Sequence, residues 1–216
     1  MNDIQGVLFD ADGTLIDTYD IILTSMRYAV NDVLGCSLDD AELMAGVGTP
    51  LYDQMLRFTG GDAARATEIT QIYRDHNDGV HDARIRAFGD TKAALERFQA
   101  AGIPMGVVTS KRHAMAQRGL EMSGIADHFQ FLIGHDDWPE HKPAPGPILR
   151  GCELLGVAPE CSLYVGDSPF DIQAGNAAGC ATAAALWGMF PREALAAERP
   201  TFMCDSLTEL ADRLGI

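Results

Sequence analysis

Lysine is scarce in this chain of 216 residues, with only Lys92, Lys111 and Lys142. Basic residues are few altogether, 16 against 31 acids, for a net charge of -15. Nucleic acid and anionic membrane surfaces both demand a basic face, so neither is expected as a partner. Nowhere do 18 apolar residues run together, and no stretch reads as a membrane-spanning helix. The opening Met1-Asn2-Asp3-Ile4-Gln5-Gly6 lacks the basic and apolar regions of a secretory signal. The five cysteines (Cys36, Cys152, Cys161, Cys180, Cys204) are scattered, odd in number and never in a C-x-x-C pair. That usage predicts buried thiols in a reducing, cytoplasmic setting. The six histidines show no metal-ligand spacing.

What is present is an ordinary globular composition, 47% hydrophobic and 22% charged, in a length that suits one domain plus an insert. Three short apolar runs end in polar residues: Ile4–Phe9 before Asp10, Ile103–Val108 before Thr109, and Ser162–Val165 before Gly166. Near-continuous apolar runs of this kind read as central strands of a parallel sheet. Phe129–Ile133, Ala181–Leu186 and Thr201–Cys204 are weaker candidates. Helical spacing covers Thr91–Ala101, Ala144–Leu155, Asp171–Ala178 and Ser206–Leu214, the last opening on the capping-box pattern Ser206-x-x-Glu209. The alternation predicts an α/β three-layer sandwich with its site at the carboxyl ends of the strands. Residues 17–83 break it with helical patterns alone, at Tyr19–Leu34, Asp39–Ala45, Leu51–Phe58 and Ala63–Asn77. They read as a helical lid inserted after the first strand, leaving 1–16 and 84–216 as the core.

The strongest chemical signal is Phe9-Asp10-Ala11-Asp12-Gly13-Thr14. Carboxylates at i and i+2 leave a strand on the same side and can address one ligand, while Gly13 permits a tight turn. Gly166-Asp167-Ser168-Pro169-Phe170-Asp171 adds two more acids, at a strand end and in the first helical turn. Four clustered carboxylates repel one another unless a cation sits among them, and an all-oxygen set selects Mg2+ over zinc. Lys142 stands in His141-Lys142-Pro143-Ala144-Pro145-Gly146-Pro147, where three prolines restrict the backbone ahead of a helix. Thr109 and Ser110 offer hydroxyl and N–H donors at the neighbouring strand end.

Together, Asp10-x-Asp12-Gly13-Thr14, Thr109-Ser110, Lys142-Pro143 and Gly166-Asp167-x-x-x-Asp171 resemble the four ordered motifs of the haloacid dehalogenase-like hydrolases, across nearly the whole chain. The helical insert between the first two motifs resembles the subgroup with an α-helical cap, and within it the bacterial phosphoglycolate phosphatases and a related pyrophosphatase. The resemblance implies a Rossmann-like core and a Mg2+-dependent phosphatase acting on a small phosphorylated metabolite. It implies Asp10 as nucleophile, Asp12 as general acid and base, and Thr109 and Ser110 N–H on the phosphoryl oxygens, with Lys142 neutralising charge. The metal would be held by Asp10, the Asp12 carbonyl and Asp167, with Asp171 orienting a ligand water. Gly13 and Thr14 are expected beside the substrate. Relatives with the Lys-Pro pair can hold it cis, which would turn Lys142 toward the aspartates.

Two departures bear on the substrate: relatives often carry Asn where Ser110 stands, and Arg86-Ala87-Phe88-Gly89-Asp90 lacks their Pro-Gly. Asp12 argues against a dehalogenase, which lacks the second acid. The absence of lysine from 17–83 rules out a Schiff-base phosphonate hydrolase. A pyrophosphatase, a sugar phosphomutase and a silent binding protein on the same fold remain as alternatives. Oligomeric state is not legible. Substrate choice is expected at Gly46-Val47-Gly48-Thr49-Pro50-Leu51, where N–H groups at a helix N-terminus could receive an anion.

Overall fold

A computed structural model describes residues 4–216, so Met1, Asn2 and Asp3 of the opening stretch lie outside the described residues. Six parallel strands, β1 (Gly6–Phe9), β2 (Met105–Val108), β3 (Leu132–Ile133), β4 (Ser162–Gly166), β5 (Ala181–Ala185) and β6 (Phe202–Cys204), form one sheet in the order β3-β2-β1-β4-β5-β6. Between β1 and β2 run α1 (Tyr19–Met26), α2 (Asp40–Met44), α3 (Leu51–Phe58), α4 (Ala63–Arg84) and α5 (Thr91–Ala100). The remaining helices are α6 (His113–Met122), α7 (Gly146–Leu155), α8 (Pro169–Ala178), α9 (Arg192–Ala197) and α10 (Leu207–Leu214).

The two-residue period of a strand sorts the core into layers. Val7, Phe9, Val107 and Val165 point to one face, where Leu95 and Phe98 of α5 and Leu207 and Leu210 of α10 cover them. Leu8, Val108 and Tyr164 point to the other, under Ile148 and Cys152 of α7 and Ala174 of α8. Full burial of each such side chain contributes about 1.5–3 kcal/mol. The five cysteines are free, with the Cys152 and Cys180 sulfurs 3.7 Å apart. The strand order reverses between β1 and β4, so Asp10 and Asp167 leave the sheet side by side at the switch point.

Helices α1 to α4 enclose a separate apolar cluster that includes Leu23, Met26, Leu43, Met55 and Ile69. The chain crosses to and from them along one antiparallel ribbon, Asp17 N–H donating to Arg86 O at 2.9 Å and Phe88 N–H to Leu15 O at 3.2 Å. Among the described residues no helix is long and apolar enough to cross a membrane.

Three local expectations are corrected. The helix expected over Tyr19–Leu34 changes after Met26 into a π-helical segment, Arg27–Val33, whose wider turn keeps Ala29 and Val30 on the buried side. Helix α4 runs through Asn77-Asp78-Gly79 to Arg84, because burial of Tyr73, Asn77 and His81 on one face outweighs weak local propensity. At α10 the box is half made: Ser206 Oγ accepts from Glu209 N–H, but the Glu209 carboxylate accepts from Asp205 N–H rather than from Ser206.

Candidate active site

Asp10, Thr109 and Asp167, at the ends of β1, β2 and β4, line a cavity of about 130 Å³ together with Asp12, Ser110 and Lys111. Helices of the insert roof it with Ile22, Met26, Tyr73 and Asn77, and the α2–α3 turn adds Gly48 and Thr49. Asp10, Asp167 and Asp171 are all buried, and one oxygen from each lies within 4.8 Å of the others. Burial pushes the Asp10 carboxyl up; Lys142 pulls it down, Asp171 and Asp12 repel it, and it settles at about 6. Burial, then repulsion from Asp171 and Asp10, holds Asp167 well above the ordinary carboxylate range.

Lys142 is the cation among these acids. Its Nζ stands 2.9 Å from Asp10 Oδ1, an ion pair without hydrogen-bond alignment, and 2.6 Å from Asp171 Oδ1. Burial disfavours its ammonium, but attraction to Asp10 and Asp171 outweighs that and raises it above the usual lysine range. The Lys142–Pro143 bond is cis. One ammonium serves three buried carboxylates, so the cluster is short of positive charge. That deficit and the all-oxygen donor set fit a hard divalent cation.

Asp167 is fixed on both oxygens: Oδ2 accepts from Met189 N–H at 2.7 Å, and Oδ1 from Thr14 Oγ1 at 3.3 Å. Gly13 has φ +79°, and a Cβ there would stand 2.2 Å from Asp167 Oδ2. Gly13 and Thr14 therefore back the Asp167 carboxylate and do not line the cavity. Asp171 closes a capping box with Ser168 at the start of α8, accepting from Ser168 N–H at 3.0 Å and Oγ at 2.6 Å. Its Oδ1 takes Lys142 at 2.6 Å and lies 3.1 Å from the Tyr164 hydroxyl, whose one proton also has Val108 O at 2.9 Å.

Two donor expectations are corrected. Thr109 N–H is spent in the sheet on Ile133 O at 2.9 Å, leaving its hydroxyl proton as the available donor. The Val47 and Thr49 amides bond to Met44 and Gly46 carbonyls within their own turn, so the loop is a poorer anion cradle than its sequence suggests. It presents an acceptor instead, with Ser110 Oγ donating to Gly48 O at 2.7 Å. Gly48 has φ +100°, and a Cβ there would meet Ser168 Oγ at 2.7 Å, so only glycine lets the turn reach the strand ends. Gly46 faces away from the cavity, toward Arg57.

Sequence reasoning missed Lys111, whose Nζ holds Asp12 Oδ1 at 2.9 Å, and Arg74, Arg112, Tyr73 and Asn77 on the cavity wall. Lys111 had a signal, being one of three lysines and adjacent to Ser110. The α4 residues had none, because they lie where the sequence reads as a helix end.

The haloacid dehalogenase-like hydrolase profile matches residues 7–185. The PpaX protein of Clostridium perfringens is 38% identical over 209 residues, covering 97% of this chain and 96% of its own. A protein of Anoxybacillus flavithermus named Pyrophosphatase PpaX is 33% identical, covering 99% of this chain and 98% of its own. Among solved structures, a Haemophilus somnus protein described as a predicted phosphoglycolate phosphatase superposes with a TM-score of 0.84 at 26% identity, covering 99% of both chains. With that profile spanning most of its length and relatives of over 30% identity along nearly all of it, the chain belongs to the haloacid dehalogenase-like hydrolases.

Proposed function

We propose that this chain is a phosphatase that hydrolyses a small phosphomonoester with Mg2+, through a covalent bond to Asp10. The observation that supports it best is the meeting of Asp10, Asp12, Lys142 and Asp167 under a helical roof, a set that can hold, attack and protonate one phosphate. Asp10 and Asp167, with the Asp12 carbonyl, would hold the metal, which supplies positive charge to the carboxylates and the phosphoryl oxygens. A carboxylate oxygen of Asp10 bonds to phosphorus as the bond to the leaving oxygen breaks. The Asp12 carboxyl gives that oxygen a proton, then takes one from the water that attacks the aspartyl-phosphate and frees Asp10. Thr109 Oγ and Ser110 N–H steady the phosphoryl oxygens, and Lys142 keeps Asp10 anionic. Asp171 acts by positioning, since it aims Lys142 and starts α8.

Inorganic pyrophosphate is the second reading. Relatives named pyrophosphatase favour it, as do Lys111, Arg74 and Arg112 on the cavity wall. A steady-state panel containing phosphoglycolate, pyrophosphate and sugar phosphates, with Mg2+ and with chelator, decides between them. A best rate on an organic ester supports the first reading, and a best rate on pyrophosphate replaces it. Activity that survives the chelator undiminished rejects the metal.

Asp12→Asn tests the proton transfer. A general acid contributes typically ~10²–10⁴-fold, so turnover of an alkyl phosphate should fall in that range. With an aryl phosphate, whose leaving group needs little protonation, the phosphorylated enzyme should accumulate and be seen by rapid quench and mass spectrometry. No trapped species would count against the role. Thr49→Trp tests the roof: kcat/KM for the best metabolite should fall at least ~10-fold, about 1.4 kcal/mol, and acetyl phosphate much less. Equal losses on both would indicate a closure or folding defect instead.

A further inference from the structure

We propose that Asn77 and Tyr73 of α4 read the leaving group, and that this group is an alcohol carrying a further hydroxyl. The inference rests on the phosphomonoester reading of the same site. Both residues line the cavity and are nearly buried, Asn77 at 7% and Tyr73 at 8% exposure. At i and i+4 they share one face of the helix.

The orientation of the Asn77 amide follows from its neighbour. Ser25 Oγ donates its one proton to Ile21 O at 2.9 Å, so toward Asn77 it can only accept, and Asn77 Nδ2 donates to it at 3.3 Å. The other arm of the amide, Oδ1, has no protein donor and can only accept. Tyr73 likewise brings a hydroxyl with no protein partner; burial and the Asp12 carboxylate hold its phenol above the usual range, so it stays protonated. Ile22, Met26 and Met115 supply the apolar part of the surrounding wall.

An acceptor-only oxygen beside a protonated phenol suits a ligand O–H, which gives its proton to Asn77 Oδ1 and accepts from Tyr73. A carboxylate has no proton for Asn77, and a terminal phosphate would set its charge against a neutral acceptor. Of the cations nearby, Lys111 is already paired with Asp12 at 2.9 Å and Arg112 faces Asp78 at 4.0 Å. A buried site built for a hydroxyl rejects analogues that lack it, because its polar groups are then left unpaired.

The test compares kcat/KM for 2-hydroxyethyl phosphate and glycerol 3-phosphate with that for ethyl phosphate and propyl phosphate, in the full-length enzyme with Mg2+. The hydroxylated esters should be favoured at least ~10-fold, and Asn77→Leu and Tyr73→Phe should each bring the ratio below about threefold. A folding defect lowers all four substrates together and leaves the ratio alone, so the ratio separates recognition from stability. A wild-type ratio below about threefold, a ratio intact in both variants, or pyrophosphate turning over faster than every ester would each overturn the inference. Release of p-nitrophenol from its phosphate with no hydroxyl preference removes this inference alone. Failure on that substrate and on all four esters removes the phosphatase reading with it.

Discussion

Asp10→Asn should lower turnover beyond ~10³-fold while leaving the protein at least as stable as wild type. The amide has nearly the same shape but neither attacks phosphorus nor ligates a divalent cation well, so the chemical step loses its nucleophile. The stability half of the expectation comes from the site's electrostatics. Asp10 sits within 4.8 Å of Asp167 and Asp171, and burial with repulsion from Asp171 lifts its carboxyl to about 6 against the pull of Lys142. Neutralising it relieves that repulsion, and Lys142 keeps Asp171 at 2.6 Å. Steady-state rates with urea denaturation check both halves. A variant retaining a tenth of the wild-type rate would end the covalent mechanism, and a marked fall in the urea midpoint would show that Asp10 holds the fold.

Lys142→Met should cost both activity and stability, in contrast. The lysine bridges Asp10 and Asp171 inside the protein, and its side chain is 2% exposed. Removing one partner of a buried ion pair leaves an uncompensated charge and destabilises by about 3–5 kcal/mol. Loss of the charge facing the phosphate should lower kcat by at least ~10²-fold, as loss of a single preorganised donor does elsewhere. Excess Mg2+ should restore part of the stability, since a ligand bound to the native state stabilises it by mass action. Denaturation curves with and without Mg2+ read this directly. An unchanged midpoint would mean that the acids are neutral without the lysine.

Much of this was legible along the chain. Asp10, Asp12, Lys142, Asp167 and Asp171 stand in strand-end and helix-start patterns whose local chemistry repeats wherever such a site is built. The strands were legible because a buried parallel strand must be apolar on both faces, as Val7, Leu8 and Phe9 are. Each motif also supplies its own backbone geometry: the Gly13 turn, the Ser168–Asp171 cap, the prolines around Lys142. These depend on neighbours in sequence, and sequence therefore determines them.

Tertiary structure decided what depends on neighbours in space. Whether Thr109 N–H is free depends on β3, which takes it with Ile133 O. The partner of the Thr14 hydroxyl is Asp167, 153 positions away in sequence, which no local pattern names. The continuation of α4 through Asn77-Asp78-Gly79, and with it the wall over the active site, rests on burial against α1 and the core, which outweighs propensities of under about 1 kcal/mol per residue. The family, and the acids and lysine that meet in the cavity, were thus legible in the sequence itself. The donors left free and the surface the leaving group meets were decided by packing, because a hydrogen-bonding group has only as much capacity as its nearest neighbours leave it.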